Sequence, residues 1–192
     1  MIHVRLQPEP ACFDALVRQP GLRALAANVE HLPPYWRECL DDLRDSDRSI
    51  CAYLCVLVPR GTGARSVDHI APKSKRPELA YEWSNYRFVC SLMNARKRDF
   101  EDVLDPMEIP DEWFVLEMSF LQVLPAGGLH GEARERVMAT IERLKLNDKE
   151  CIAARELYYT PYLEGRLTLE LLQEWSPFVA REVVRQGLTR RE

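Results

Sequence analysis

Apolar and polar positions divide the chain into three stretches of different periodicity. Phe13, Leu16 and Val17 recur at helical spacing until Pro20-Gly21 interrupts them, and a second helix is predicted over 21–29. Pro33-Pro34 opens a third helix, with Trp36, Leu40 and Leu43 on one face, and a short strand is expected ahead of all three. From about residue 49 the pattern turns β-prone. The apolar run Cys51–Val58 predicts a strand, and Pro59-Arg-Gly-Thr-Gly63 a turn. Ser66–Ile70 and Tyr86–Cys90 are further short strands, and Met93–Arg98 is a basic helical segment. Helical periodicity then returns. Ala133, Val137, Ile141 and Leu144 line a helix over 132–145, and Asn147-Asp-Lys-Glu150 starts another that reaches about Tyr158. Thr168 caps a short helix, Ser176-Pro177 begins the last, and Gly187 ends it. Phe114–Met118 adds one more strand candidate.

The predicted fold class is α+β and mainly helical. No linker interrupts the chain, so a single domain over 1–192 is expected. Its parts are a helical region over 1–48, a strand-and-helix centre over about 49–106, and a helical region over about 107–192.

Composition supports a packed core: 46% of the 192 residues are hydrophobic and 29% charged, which excludes global disorder. No apolar run reaches the roughly 18 residues that span a bilayer, so no membrane association is expected. The N-terminus shows no basic-then-apolar leader, and the six cysteines are irregularly spaced. A cytoplasmic location with reduced thiols follows as an expectation. The net charge of −4 argues against a polyanion partner until it is divided. Residues 60–98 hold nine basic and three acidic side chains, a net +6, whereas the remainder has 17 basic and 27 acidic, a net −10. Such a division gives a local positive field on an acidic body, as either a nucleic-acid face or a solvated surface would.

Candidate chemistry lies in the same stretch. Phosphodiester hydrolysis needs a base that titrates near neutrality, and His69 is one. It also needs a hard divalent ion, for which Asp68 and the amide oxygen of Asn94 are suitable oxygen ligands. Neighbours on a regular strand point to opposite faces, so Asp68 and His69 share a site only where the strand ends. Ala71-Pro72 supplies that end.

Asp68-His69, Asn85 and Asn94, separated by 16 and 9 residues, resemble the His-Asn-Asn form of the HNH endonucleases. The resemblance implies a ββα-metal finger in the middle of the chain, with the N- and C-terminal helical regions packed around it. It implies His69 as general base, Asp68 and Asn94 as ligands of Mg²⁺ (or Mn²⁺), and Asn85 as the residue that fixes loop and histidine. Lys97, three residues after Asn94, matches a lysine that meets phosphate. The words Asp68-His-Ile-Ala-Pro-Lys-Ser74, Leu79-Ala-Tyr-Glu-Trp-Ser-Asn85 and Leu146-Asn-Asp148 with Arg155 are similar to HNH proteins of Septu-type and retron-associated anti-phage defence. That similarity implies a DNA-cutting effector with an ATPase partner, or else a nucleic-acid-binding or regulatory subunit that is inactive without that partner.

The chain departs from the pattern at its cysteines. Such fingers often hold a structural zinc by two cysteine pairs, but Leu54 and Met93 stand where two of the thiolates belong. Cys51, Cys55 and Cys90 alone fall short of four ligands, so they are expected as small core residues and not as a zinc site. Lys73, Lys75 and Arg96, with Arg76 and Arg98, are either phosphate contacts or ordinary exposed charges.

Overall fold

The computed structural model describes residues 1–190 and places seven α-helices and two two-stranded sheets among them, an α+β and mainly helical fold. Its contacts gather into two compact units that interleave along the chain. One holds Met1–Val4, Ile50–Leu57 and the chain from Asp102 onward; the other holds Arg5–Ser49 and Val58–Glu101.

The second of these carries the candidate residues. A π-helical turn, Asp14–Arg18, runs directly into helix α1 (Gln19–Ala26). The break expected at Pro20-Gly21 is therefore absent, because Pro20 occupies the first turn of α1, where proline sacrifices no needed donor. Gly21 is required for packing: a Cβ there would lie 2.2 Å from the Tyr81 ring. A 3₁₀ turn over Tyr35–Cys39 leads into α2 (Leu40–Ser46), which packs on the sheet. Strands β1 (Arg65–His69) and β2 (Tyr86–Cys90) pair antiparallel, with Val67 opposite Phe88 and His69 opposite Tyr86. Helix α3 (Ser91–Lys97) follows β2 without a gap and packs on both strands. Phe13, Val17, Leu43, Val67, Trp83, Tyr86, Phe88 and Met93 form the core. Phe13 meets Trp83 and Tyr86 edge-on at 5.5 and 5.7 Å.

In the other unit, β3 (Phe114–Glu117) pairs antiparallel with β4 (Gln122–Pro125), a strand that its sequence pattern does not announce. Helices α4 (Gly131–Arg143), α5 (Lys149–Leu163), α6 (Leu169–Trp175) and α7 (Pro177–Arg185) complete it. Asp148 and Thr168 cap α5 and α6 by accepting from the amides of Cys151 and Leu171. Gly187 lies beyond α7 at φ +67°. Asn147 pairs both its amide atoms with the Val123 backbone at 2.7 and 2.9 Å, and buried Arg155 donates to the carbonyls of Leu121 and Leu146. The late words Leu146-Asn-Asp148 and Arg155 thus hold the hairpin, the α4–α5 turn and the start of α5 together.

Two strand expectations fail. Cys51–Val58 folds as a buried turn with one isolated bridge, Ile50 to Leu57, and Cys55 at φ +57°. Burial from Cys51 to Val56 explains the continuous apolar run without any sheet, since packing overrides β-propensity. Residues 1–10 form no strand either. Val4 makes a single backbone bond to Pro106, and Pro8 and Pro10 remove donors that a ladder would need.

Candidate active site

Strand β1 ends at His69, and the chain bends away over residues 70–71. Asp68 and His69 consequently line one cleft, of about 530 Å³, together with Asn94 of α3. Its other walls come from Trp36, Arg37 and Leu40 before and in α2, from Pro72, Lys73 and Ser74 of the loop, and from Arg98 and Asp99 beyond α3.

His69 is oriented on all sides. Its Nε2 lies 3.0 Å from the Ala80 carbonyl oxygen. A carbonyl can only accept, so Nε2 carries the proton and Nδ1 keeps the lone pair. The same carbonyl accepts from the Tyr86 hydroxyl at 2.8 Å. Trp36 and Tyr86 meet the imidazole edge-on at 4.8 and 5.0 Å. Burial pushes the His69 pKa down to about 4, helped by the cations Lys73 and Lys97 and opposed by the bond to Ala80. The ring is therefore neutral at physiological pH with Nδ1 unprotonated, and it titrates below the near-neutral range expected from the sequence.

Asn85 lies outside the cleft lining. It ends a 3₁₀ turn before β2, is 4% exposed, and clamps the loop. Its Oδ1 accepts from the Ala71 amide at 2.8 Å, and its Nδ2 donates to the carbonyls of Ala71 and Leu79. Its own carbonyl accepts from Ile70. These bonds fix both ends of the segment that carries Ala80, and Ala80 in turn fixes His69.

Asn94 sits in the first turn of α3. Its Nδ2 donates to Ser66 Oγ at 2.6 Å and to the Val67 carbonyl at 3.4 Å, which leaves Oδ1 as the atom it has to offer. Asp68 is 2% exposed. Behind it, fully buried Lys97 donates to the His69 carbonyl at 2.6 Å and lies 3.4 Å from Asp68 Oδ1. Lys97 is an internal cation, away from any surface that a phosphate reaches.

Of the other expected cations, Lys73 lines the cleft with its ammonium 3.9 Å above the Trp36 ring. Lys75 and Arg96 stand outside the lining, and Lys75 pairs with Glu101 at 2.9 Å. Several charges of the +6 stretch are absorbed locally. Arg87 is buried against the Ser84 and Tyr86 carbonyls, Arg76 pairs with Glu78, and Arg65 pairs with Asp41. The cleft cations are Arg37, Arg65, Lys73 and Arg98. Arg37 had no sequence signal, since only the fold brings the segment before α2 to the end of β1.

No family model matches the chain, and no curated protein matches it significantly. The functional reading therefore stands on the site itself.

Among the described residues, no three His, Cys, Asp or Glu side chains converge as a metal cluster. Cys51 and Cys55 belong to one unit and Cys90 to the other; Cys51 and Cys55 are fully buried, with Cys55 Sγ against the carbonyls of Ala52 and Tyr53. Of the side chains lining the cleft, the Asp68 carboxylate and the Asn94 amide oxygen are the expected ligands, and Asp99 brings a second carboxylate to the lining. Such a set suits a hard divalent ion that keeps water and substrate oxygens in its remaining positions, as Mg²⁺ commonly does.

Proposed function

We propose that the protein is a metal-dependent HNH-type endonuclease that hydrolyses phosphodiester bonds in DNA, with β1, β2 and α3 as its finger. One observation carries this reading: Nε2 of His69 is committed to Ala80, so the unprotonated Nδ1 belongs to a ring lining the same cleft as Asp68 and Asn94. His69 takes a proton from water at Nδ1, the resulting hydroxide forms a bond to phosphorus, and the bond from phosphorus to the ester oxygen breaks, the leaving oxygen taking up a proton from solvent. The bond to Ala80 holds the imidazole in the tautomer that can accept the proton from water. Asp68 and Asn94 would hold Mg²⁺ or Mn²⁺, whose Lewis acidity stabilises charge on the phosphate and on the leaving oxygen. Asn85 and Lys97 position the base, the first through the loop and the second through the carbonyl of His69. Lys73 and the cleft arginines supply positive potential for the phosphate chain. An effector role in anti-phage defence, with an ATPase partner, rests on the sequence resemblance alone.

Plasmid nicking in Mg²⁺ or Mn²⁺ tests the reading. The native chain should nick and EDTA should stop it. His69→Ala should lose about 10²–10⁴ in rate while remaining folded. Full cleavage by folded His69→Ala would refute the assignment.

A further inference from the structure

Helix α3 ends in a turn with an unusual occupant. The Phe100 amide donates to the Lys97 carbonyl at 3.1 Å, closing a four-residue turn whose first central residue is Arg98. Arg98 has φ 53° and ψ −127°, the geometry of the first central position of a type II′ turn. Glycine dominates that position because a Cβ is strained there. Strain of this kind persists where the surrounding structure has a use for it.

The side chain indicates the use. Among the described residues, no hydrogen bond or ion pair engages the Arg98 guanidinium, although it lines the cleft with His69, Asp68 and Asn94. Its neighbour Asp99 also lines the cleft, and among the described residues no ion pair joins the two. The other cations are differently placed. Arg65 is already neutralised by Asp41, and Lys73 lies on Trp36. Burial lowers the Lys73 pKa and the nearby Arg37 cation adds to it, a like-charge pair that an anion would relieve. A guanidinium presents a planar fork of donors that matches phosphate oxygens, and an unpaired one has that fork available.

We propose that Arg98 seats a backbone phosphate of the DNA substrate in the cleft beside His69, and that an arginine occupies this glycine position for that contact. The inference rests on the endonuclease reading of the same cleft, and it names the residue that binds the substrate's phosphate chain.

Binding is measured apart from chemistry, by fluorescence anisotropy of a labelled 20-base-pair DNA in EDTA over a salt series. Thermal melts and cleavage in Mg²⁺ accompany it. Arg98→Gly should melt above the native chain, because the turn is relaxed. It should bind DNA about tenfold more weakly, with a salt slope shallower by about one. Arg98→Lys, which keeps the charge and loses the fork, should fall between the two. Arg48→Gly, also at positive φ (52°) but outside the cleft, should bind as the native chain does. Unchanged affinity and slope in Arg98→Gly would overturn the inference, as would a native chain that binds no DNA. Failure of the underlying reading looks different: His69→Ala would still cut, whatever the Arg98 variants do in the binding assay.

Discussion

Lys97 reaches from the last turn of α3 to the end of β1, where its ammonium donates to the carbonyl oxygen of His69 at 2.6 Å and lies 3.4 Å from Asp68 Oδ1. A fully buried cation in that position has a structural partner on each side. Removing it takes a positive charge from beside the Asp68 carboxylate, which is 2% exposed. Lys97→Met should therefore destabilise the fold by about 3–5 kcal/mol, the cost of stranding one member of a buried pair. Urea unfolding checks this. A Lys97→Met chain as stable as the native one, with weaker DNA binding, would return Lys97 to the phosphate-binding set.

Asn85 should behave as a positioning residue. Asn85→Ala removes the side-chain bonds to Ala71 and Leu79 and frees the segment that presents Ala80 to His69. Loosening a base by a fraction of an ångström costs on the order of 10–10² in turnover. The expected result is a fall in kcat with little change in KM or in Mg²⁺ affinity. A variant whose defect lay in Mg²⁺ affinity would instead place Asn85 among the ion's ligands.

The contrast between Asn85 and Lys97 shows what the sequence could convey. Short strands bounded by breakers are local, so Ser66–Ile70 and Tyr86–Cys90 were legible to within a residue, as was the end of β1 that lets Asp68 and His69 share a cleft. Charge was less legible because partners come from elsewhere in the chain: Asp41 neutralises Arg65, and Glu101 neutralises Lys75. Both acids lie outside the stretch whose net charge drew attention. Lys97 is basic in composition but internal in the fold, and no periodicity in a seven-residue helix says which cation turns inward. Trp36 and Arg37 reach the cleft through tertiary packing alone. The turn at Cys51–Val58 differs from its expected strand for a related reason, since a run buried on every side has the same composition whether it is a strand or a coil.

Asp47, just beyond α2, gives the fold a pH dependence of definite sign. Burial pushes its carboxyl up to about 6 from 3.8, against the pull of the Phe88 backbone and Arg87. The folded chain therefore holds this proton more tightly than the unfolded chain. The associated stability is present below about pH 4 and is lost as pH rises through about 6. A shift of two units sets a ceiling near 3 kcal/mol, and partial solvent access reduces it to about 1–2 kcal/mol. Asp47→Asn should thus be more stable than the native chain at pH 7.5, with the difference closing by pH 4. Urea midpoints at the two pH values decide it. An equal difference at both would show that the carboxyl titrates normally.

The donor set at the cleft makes the last prediction quantitative. An ion held by one carboxylate and one amide oxygen has few protein contacts, so each should matter. Asp68→Ala and Asn94→Ala should each raise the Mg²⁺ concentration for half-maximal nicking by about tenfold or more, roughly 1.4 kcal/mol per decade. The two should differ in their side effects. Asp68→Ala also leaves Lys97 buried beside an apolar group and should cost stability. Asn94→Ala gives up bonds to Ser66 Oγ and the Val67 carbonyl at the rim, so it should cost only about 1 kcal/mol. Calorimetric titration of Mn²⁺ into each folded variant separates lost affinity from lost structure. Native-like Mn²⁺ affinity in Asn94→Ala would remove the amide oxygen from the site and leave Asp68 as its one protein ligand of the two.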